Sequence, residues 1–173
     1  MAKVNPQITR DPPHGVRGGV RDVVVETEHL QIASSLPMDE DIEQYYLKLN
    51  PMILHLDPPV GESRSPIVWA VVIKDDGKLI GKCCLYNPTQ TTIELGVRIF
   101  ASECWNMGCG KEIINALCLY VNTFMPERST VLAKTPVYNY RAVRCYMGCG
   151  FSQYGKALIG GFDMVLLRKE VAR

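Results

Sequence analysis

No stretch of the sequence reaches the roughly 18 consecutive apolar residues that a membrane-spanning helix needs, and the N-terminus lacks the apolar core of a secretory signal. The sequence also lacks an excess of one charge, since it contains 19 Lys and Arg residues and 18 Asp and Glu residues. This balance argues against broad electrostatic binding to nucleic acid or to membranes and leaves only a local basic patch open. We therefore expect a cytoplasmic protein with neither partner.

The usual spacings of metal and nucleotide sites are also missing. Cys104 with Cys109, and Cys145 with Cys149, lack the two-residue separation of a zinc knuckle, so we expect no metal. The Gly-Lys-Ser/Thr ending of a P-loop is absent, and no alternating strand-helix series with a later acidic residue indicates a dinucleotide site. Without a secretory signal, the seven cysteines are expected to be reduced and mostly buried.

Proline and glycine divide the chain into segments. Residues 1–22 mix several prolines and glycines with polar residues and show no apolar period, which indicates a flexible N-terminal tail. Residues 23–173 are predicted to form one domain, long enough to bury a proper core. A first strand is expected within 23–33, then a helix that starts with the acidic residues 39–41, then a long loop at 52–66.

Strands and helices alternate in the rest of the chain. A helix that crosses between two strands makes the later strand parallel to the earlier one, so the sheet should be mixed and mostly antiparallel. This order indicates an α+β domain. Strands are expected at 67–73, 79–86, 91–100, 129–135, 151–154 and 162–167, and helices at 113–124 and 138–149.

The segment from Trp105 to Lys111 holds two glycines, Gly108 and Gly110, between a strand-like run and a helix-like run. The first N–H groups of a helix have no partner within the helix and lie at the positive end of its dipole, which suits a phosphate. Glycine lets the backbone approach such a ligand closely. Taken alone, the glycine pair fits close packing of helix and sheet equally well.

A second segment favours the phosphate site. Asn139, Ala142, Tyr146 and the pair Gly150-Phe151 follow the spacing Asn-x-x-Ala-x-x-x-Tyr-x-x-x-Gly-Phe. Together the two segments resemble the GNAT superfamily of N-acetyltransferases, which combines this motif with an earlier Gln/Arg-x-x-Gly-x-Gly/Ala loop. The resemblance implies a mixed, mostly antiparallel central sheet flanked by helices, with a parallel strand pair that splays at the cofactor site.

One position of the loop departs from the pattern, because Trp105 stands where Gln or Arg is usual. An aromatic residue there, together with the segment 27–30 (Thr-Glu-His-Leu), resembles the branch of ribosomal-protein N-terminal and spermidine acetyltransferases. This branch favours a protein or peptide N-terminus as the amine acceptor. A polyamine or aminoglycoside-type amine and a non-catalytic acyl-CoA-binding regulatory domain stay open as alternatives. So do a longer acyl group and the oligomeric state, a homodimer included.

The resemblance also implies which residues hold acetyl-CoA, the expected co-substrate. Backbone groups of Arg98, Ile99 and Phe100 would pair with its pantetheine arm as an added strand does, and Asn139 would bond the arm from the other side. The backbone N–H groups that would hold the pyrophosphate belong to Asn106, Met107, Gly108, Cys109, Gly110 and Lys111.

Direct transfer of the acetyl group to a primary amine is helped by an acid near the thioester sulfur and by a base or water chain for the amine proton. Tyr146 matches the family's acid. The glutamate that some relatives carry as base is replaced here by Lys134, and Glu94 is our substitute, acting through water; a plain surface carboxylate is the alternative. We expect the acceptor over the sheet, between the first helix, the loop 52–66 and the connection 152–161.

Overall fold

The computed structural model describes residues 22–35, 37–57 and 63–171. Within these ranges lie eight strands, four helices and a short 3₁₀ turn at Ser102–Cys104. The strands are β1 (Val23–Glu26), β2 (Leu30–Ser34), β3 (Ile67–Ile73), β4 (Leu79–Tyr86), β5 (Thr92–Ile99), β6 (Thr130–Pro136), β7 (Ser152–Ile159) and β8 (Phe162–Glu170). The helices are α1 (Pro37–Leu49), α2 (Met52–Leu56), α3 (Cys109–Phe124) and α4 (Tyr140–Gly148).

All eight strands join one sheet in the order β1-β2-β3-β4-β5-β6-β8-β7. The pair β5 and β6 is parallel, because α3 crosses between them, and the other neighbouring pairs are antiparallel. Alternating side chains of each strand face opposite sides of the sheet. Helices α3 and α4 pack on one side, over residues such as Val71 and Leu95. Helices α1 and α2 pack on the other, over residues such as Val72 and Phe100.

The parallel pair opens into a fork. Strands β5 and β6 pair over three positions that end at Glu94 and Leu132. Beyond that point β5 continues beside β4 to Ile99, and β6 continues beside β8 to Pro136. The facing edges of the two strands therefore lose each other as hydrogen-bond partners, and these backbone groups can serve a ligand instead.

Most of the expected elements and the mixed, mostly antiparallel sheet are confirmed. The apolar runs at 67–73 and 79–86 form β3 and β4 as expected, and the helical crossover makes β6 parallel to β5. The predicted tail, residues 1–22, lies outside the described residues apart from Asp22. The assignment of 23–173 to one domain stays a prediction.

Three local predictions are wrong. The expected first strand is two strands, because the N–H of Leu30 donates to Thr27 Oγ1 at 3.0 Å and the chain turns there. The loop 52–66 begins with the helix α2, whose five residues are too few to show an apolar period. The connection 152–161 is largely the strand β7, which is exposed along much of its length and so lacks a strong alternation of apolar residues.

Candidate active site

A cavity of about 350 Å³ lies at the fork, with walls from α2, β5, the segment 104–111 and α4. The cavity is therefore formed by the two motif segments together with α2 and β5. The predicted site residues that line it are Arg98, Ile99, Asn106, Gly108, Gly110, Lys111, Asn139 and Tyr146. Glu94, Phe100, Met107 and Cys109 are not among the lining residues.

The loop before α3 passes through two left-handed residues, Asn106 with φ of 63° and Gly108 with φ of 92°. Glycine adopts such an angle without the clash that a Cβ would cause. The carbonyl of Gly108 accepts from the N–H of Lys111 at 3.0 Å. The N–H groups of the first helical residues, Cys109 and Gly110, have no acceptor within the helix. The loop can therefore present backbone donors to an anion.

Gly110 has a different role from Gly108. A Cβ on Gly110 would lie 3.0 Å from Cys145 Sγ, so the glycine lets α3 pack closely on α4. A Cβ on Gly148 would lie 2.9 Å from Lys111 Cε, which shows that the lysine stem lies along α4. Close packing therefore explains Gly110. The packing is between two helices, however, and not between a helix and the sheet as the sequence suggested.

Trp105 links the loop to β5 and to α4. Its indole Nε1–H donates to the carbonyl of Ile99 at 2.8 Å, and the guanidinium of Arg141 lies 3.8 Å from the centre of its ring. The second contact has the geometry of a cation–π interaction. The aromatic residue that departs from the usual motif therefore braces the loop on both sides.

Three cationic side chains, those of Lys111, Arg141 and Arg144, line the cavity near the glycine loop, and we call this part the cationic end. Within the described ranges, no carboxylate lies at ion-pair distance from any of them. Sequence analysis missed both arginines. Their spacing of three residues, directly after Asn139, could have indicated that they share a helix face.

Arg98 also lines the cavity and is held by two carboxylates. Its Nε donates to Asp57 Oδ2 at 2.6 Å and its Nη1 donates to Glu43 Oε1 at 3.0 Å. Glu43, which is only 8% exposed, also pairs with Lys82 Nζ at 2.5 Å. Burial alone would lower the pKa of Arg98, but Asp57 and Glu43 raise it. We call these four side chains the matched cluster, because each charge has an opposite partner.

The backbone of β5 corrects part of the predicted pantetheine contact. The N–H of Phe100 donates to the carbonyl of Ile80 at 3.0 Å, and the Phe100 ring packs under α2. Because alternate residues of an antiparallel ladder point to the same neighbour, the backbone of Arg98 also points to β4. The backbone groups of Val97 and Ile99 are the ones that point into the fork. Sequence spacing could not give this register.

Asn139 makes two hydrogen bonds within the protein. Its Oδ1 accepts from the N–H of Ala142 at 3.2 Å, which caps α4, and its Nδ2 donates to the carbonyl of Leu56 at 2.8 Å. A carboxamide nitrogen carries two N–H groups. The second N–H is therefore the one that a bound pantetheine arm could use.

Tyr146 lines the cavity from α4 and is only 5% exposed. Its ring packs edge-on against Phe151, with 5.3 Å between the ring centres. Burial raises the pKa of Tyr146 well above its ordinary value. The hydroxyl therefore keeps its proton at neutral pH and can donate it to a developing anion.

Glu94 lies where the fork begins. Its Oε2 is 3.0 Å from Lys134 Nζ, and its Oε1 accepts from Asn87 Nδ2 at 3.0 Å. The ion pair joins the last paired residue of β5 to a residue of β6 that lies two positions beyond its partner Leu132. Lys134, which replaces the relatives' glutamate, thus contacts Glu94 directly. The role of Glu94 as a base stays a prediction.

All seven cysteines are free thiols and all are buried or half-buried. Among the residues that the structure describes, no three His, Cys, Asp or Glu side chains are grouped so as to hold a metal ion. None of the described helices is long and apolar enough to cross a membrane.

Residues 28–152 match the family model described as an acetyltransferase (GNAT) domain. No curated protein matches the chain. Among solved structures, a spermidine N-acetyltransferase from Vibrio cholerae in complex with CoA and spermine is similar at 21% identity and a TM-score of 0.67. That match covers 83% of this chain and 96% of the other.

Two further structures are similar. The ribosomal-protein-S5-alanine acetyltransferase from Vibrio fischeri has 19% identity and a TM-score of 0.67, over 88% of this chain and 97% of the other. An aminoglycoside acetyltransferase in complex with coenzyme A has 16% identity and a TM-score of 0.64, over 82% of this chain and 94% of the other. At these identities the likeness shows a shared fold.

Proposed function

The chain belongs to the acetyltransferase (GNAT) domain family, and from this membership we propose that it transfers the acetyl group of acetyl-CoA directly to a primary amine, with a protein or peptide N-terminus as acceptor. The observation that carries the proposal is the cavity at the fork. It is lined by the glycine loop and by three cations, and it also contains a buried, protonated Tyr146.

The lining residues fit acetyl-CoA. The outward N–H groups at the start of α3 and the charges of Lys111, Arg141 and Arg144 suit the phosphates. The backbone groups of Val97 and the N–H of Ile99 suit the amides of the pantetheine arm, which would lie along β5 as an added strand, while the carbonyl of Ile99 already accepts from Trp105 Nε1. The second N–H of Asn139 faces the same space.

Bound acetyl-CoA would supply a thioester, whose acetyl group a deprotonated amine can take. Tyr146 would give its proton to the sulfur as the bond to the acetyl group breaks, because the buried phenol keeps that proton at neutral pH. Glu94, whose carboxylate lies 3.0 Å from Lys134 Nζ, would accept the amine proton through water.

Charge pairing around the fork favours a peptide over a polyamine as acceptor. A polyamine carries several positive charges and is best held by carboxylates that lack other partners. The carboxylates of Glu43 and Asp57, which contact Arg98, and that of Glu94, where the fork begins, are each paired with a lysine or an arginine.

Release of CoA thiol tests the proposal. A short lysine-free peptide with a free N-terminal alanine is expected to release thiol from acetyl-CoA, while the same peptide with a blocked N-terminus is not. Tyr146→Phe should lower kcat at least tenfold and leave the Kd for acetyl-CoA unchanged, whereas Tyr120→Phe, which loses a hydroxyl outside the cavity, should keep full activity.

Other results would overturn the proposal. Faster turnover of spermidine or kanamycin than of the peptide would reject the N-terminal acceptor and keep the acetyltransfer. Tight binding of acetyl-CoA without turnover of any of these amines would favour a regulatory acyl-CoA-binding domain.

A further inference from the structure

The C-terminal end of α2 crosses the fork. We call residues 55–57 the strap. Their backbone carbonyls lie at the end of a helix and therefore have no N–H donor within it. Each of these three carbonyls accepts a hydrogen bond from a side chain of another element. Tyr138 Oη donates to the carbonyl of His55 at 2.7 Å, Asn139 Nδ2 donates to that of Leu56 at 2.8 Å, and Arg98 Nη2 donates to that of Asp57 at 2.9 Å.

These donors come from both arms of the fork. Arg98 is on β5, while Tyr138 and Asn139 lie in the turn between β6 and α4. Where the strands themselves no longer pair, the strap therefore joins them. A stacked contact adds to the hold on one side, since the rings of His55 and Tyr138 are 4.5 Å apart and only 14° from parallel. Asp57 Oδ2 adds to it on the other, through its bond to Arg98 Nε.

The strap also forms a wall of the cavity. Leu56 and Asp57 line it together with Asn139 and Tyr146. An amine that attacks a thioester held against Tyr146 would share this cavity with the strap, so a fixed strap helps to fix the approach of the amine. We propose that the strap positions the amine acceptor, and that Tyr138, which does not line the cavity, is a positioning residue that acts on the acceptor through the strap. This inference rests on the proposed acetyltransfer.

Tyr138→Phe tests the inference, because it removes one hydrogen bond and keeps the stacked ring. The KM for the peptide with a free N-terminal alanine should rise roughly fivefold, the effect of one hydrogen bond. The Kd for acetyl-CoA should change much less than this KM, because the phosphates would bind at the cationic end, which the substitution leaves untouched. Amide hydrogen exchange in residues 52–57 should become faster. Tyr140→Phe is the matched control, since it removes an exposed hydroxyl two residues away and should change none of these.

The outcomes separate this inference from the proposed function. If the unchanged protein acetylates none of the amines, the proposed function fails and the acceptor role of the strap fails with it. If the unchanged protein is active and Tyr138→Phe has the same KM and the same exchange rates, the strap inference alone is overturned. An equal loss in peptide KM and in acetyl-CoA affinity would also overturn it, because that pattern indicates general loosening of the cavity.

Discussion

The cationic end of the cavity and the matched cluster differ in whether their charges have partners within the protein. At the cationic end, Lys111, Arg141 and Arg144 have no described carboxylate at ion-pair distance. In the matched cluster, Arg98 and Lys82 meet Glu43 and Asp57 at 3.0 Å or less. Removing one partner of a buried ion pair destabilises a protein, so the matched cluster is part of the fold, whereas Lys111 and Arg144 are exposed and need no partner within the protein. Charges left unmatched in a cavity can be matched by a ligand, and this difference indicates which end receives the anion.

The largest expected effect comes from breaking the matched cluster. Glu43→Ala would leave Arg98 with fewer partners in a half-buried site, and we expect it to lower the free energy of unfolding by about 3 kcal/mol. Glu28→Ala, at a carboxylate that is 65% exposed and 3.8 Å from His29, should stay within about 0.5 kcal/mol. Urea unfolding of both variants measures the difference, and equal losses would contradict a structural role for the matched charges.

A smaller effect is expected from the glycine loop, and here it is affinity that should change. Gly108 and Gly77 have positive φ angles, 92° and 68°, and a Cβ at either would have no neighbour within 4 Å. Gly108→Ala and Gly77→Ala should therefore strain the backbone by about 1 kcal/mol each. Only Gly108→Ala should weaken acetyl-CoA binding, by about tenfold, as the loop shifts its N–H groups. Similar affinities for both variants by calorimetry would place the anion elsewhere.

The smallest expected effect is a loss of acetyl-CoA affinity that depends on salt concentration. Arg144→Gln should weaken acetyl-CoA binding about fivefold at low ionic strength, because one unmatched charge is lost. The difference from the unchanged protein should shrink as salt rises, since ions screen an accessible charge. Lys48→Gln, at an exposed charge on α1, is the control and should not alter affinity. A deficit that does not depend on salt would indicate lost packing instead of lost charge.

Sequence reasoning predicted what is local and missed what is distant. The glycine loop and the Asn139 to Phe151 motif each lie within a dozen residues or so, and both line or adjoin the cavity. The contact of Arg98 with Glu43 joins positions 55 residues apart, and that of Tyr138 with His55 joins positions 83 apart. No periodicity links such pairs. Sequence reasoning places the strap in a loop. The role of the strap depends on contacts with distant residues, which form only when the chain folds.

Register was the second limit. The strand over 91–100 was predicted correctly, but which of its backbone groups face the fork depends on the pairing of Phe100 with Ile80. A shift of one residue exchanges the two sets of groups. The resemblance thus led to Arg98 and Phe100, where the structure turns Val97 and Ile99 toward the cavity.

The crossing of α3 and α4 limits how this protein can change during evolution. A Cβ on Gly110 would lie 3.0 Å from Cys145 Sγ, so the two positions share one small volume. A larger residue at 110 is tolerated only if position 145 becomes smaller, or if the helices separate and widen the cavity beside them. Substitutions at these two positions should therefore occur together, and neither would be interpretable from its own side chain alone.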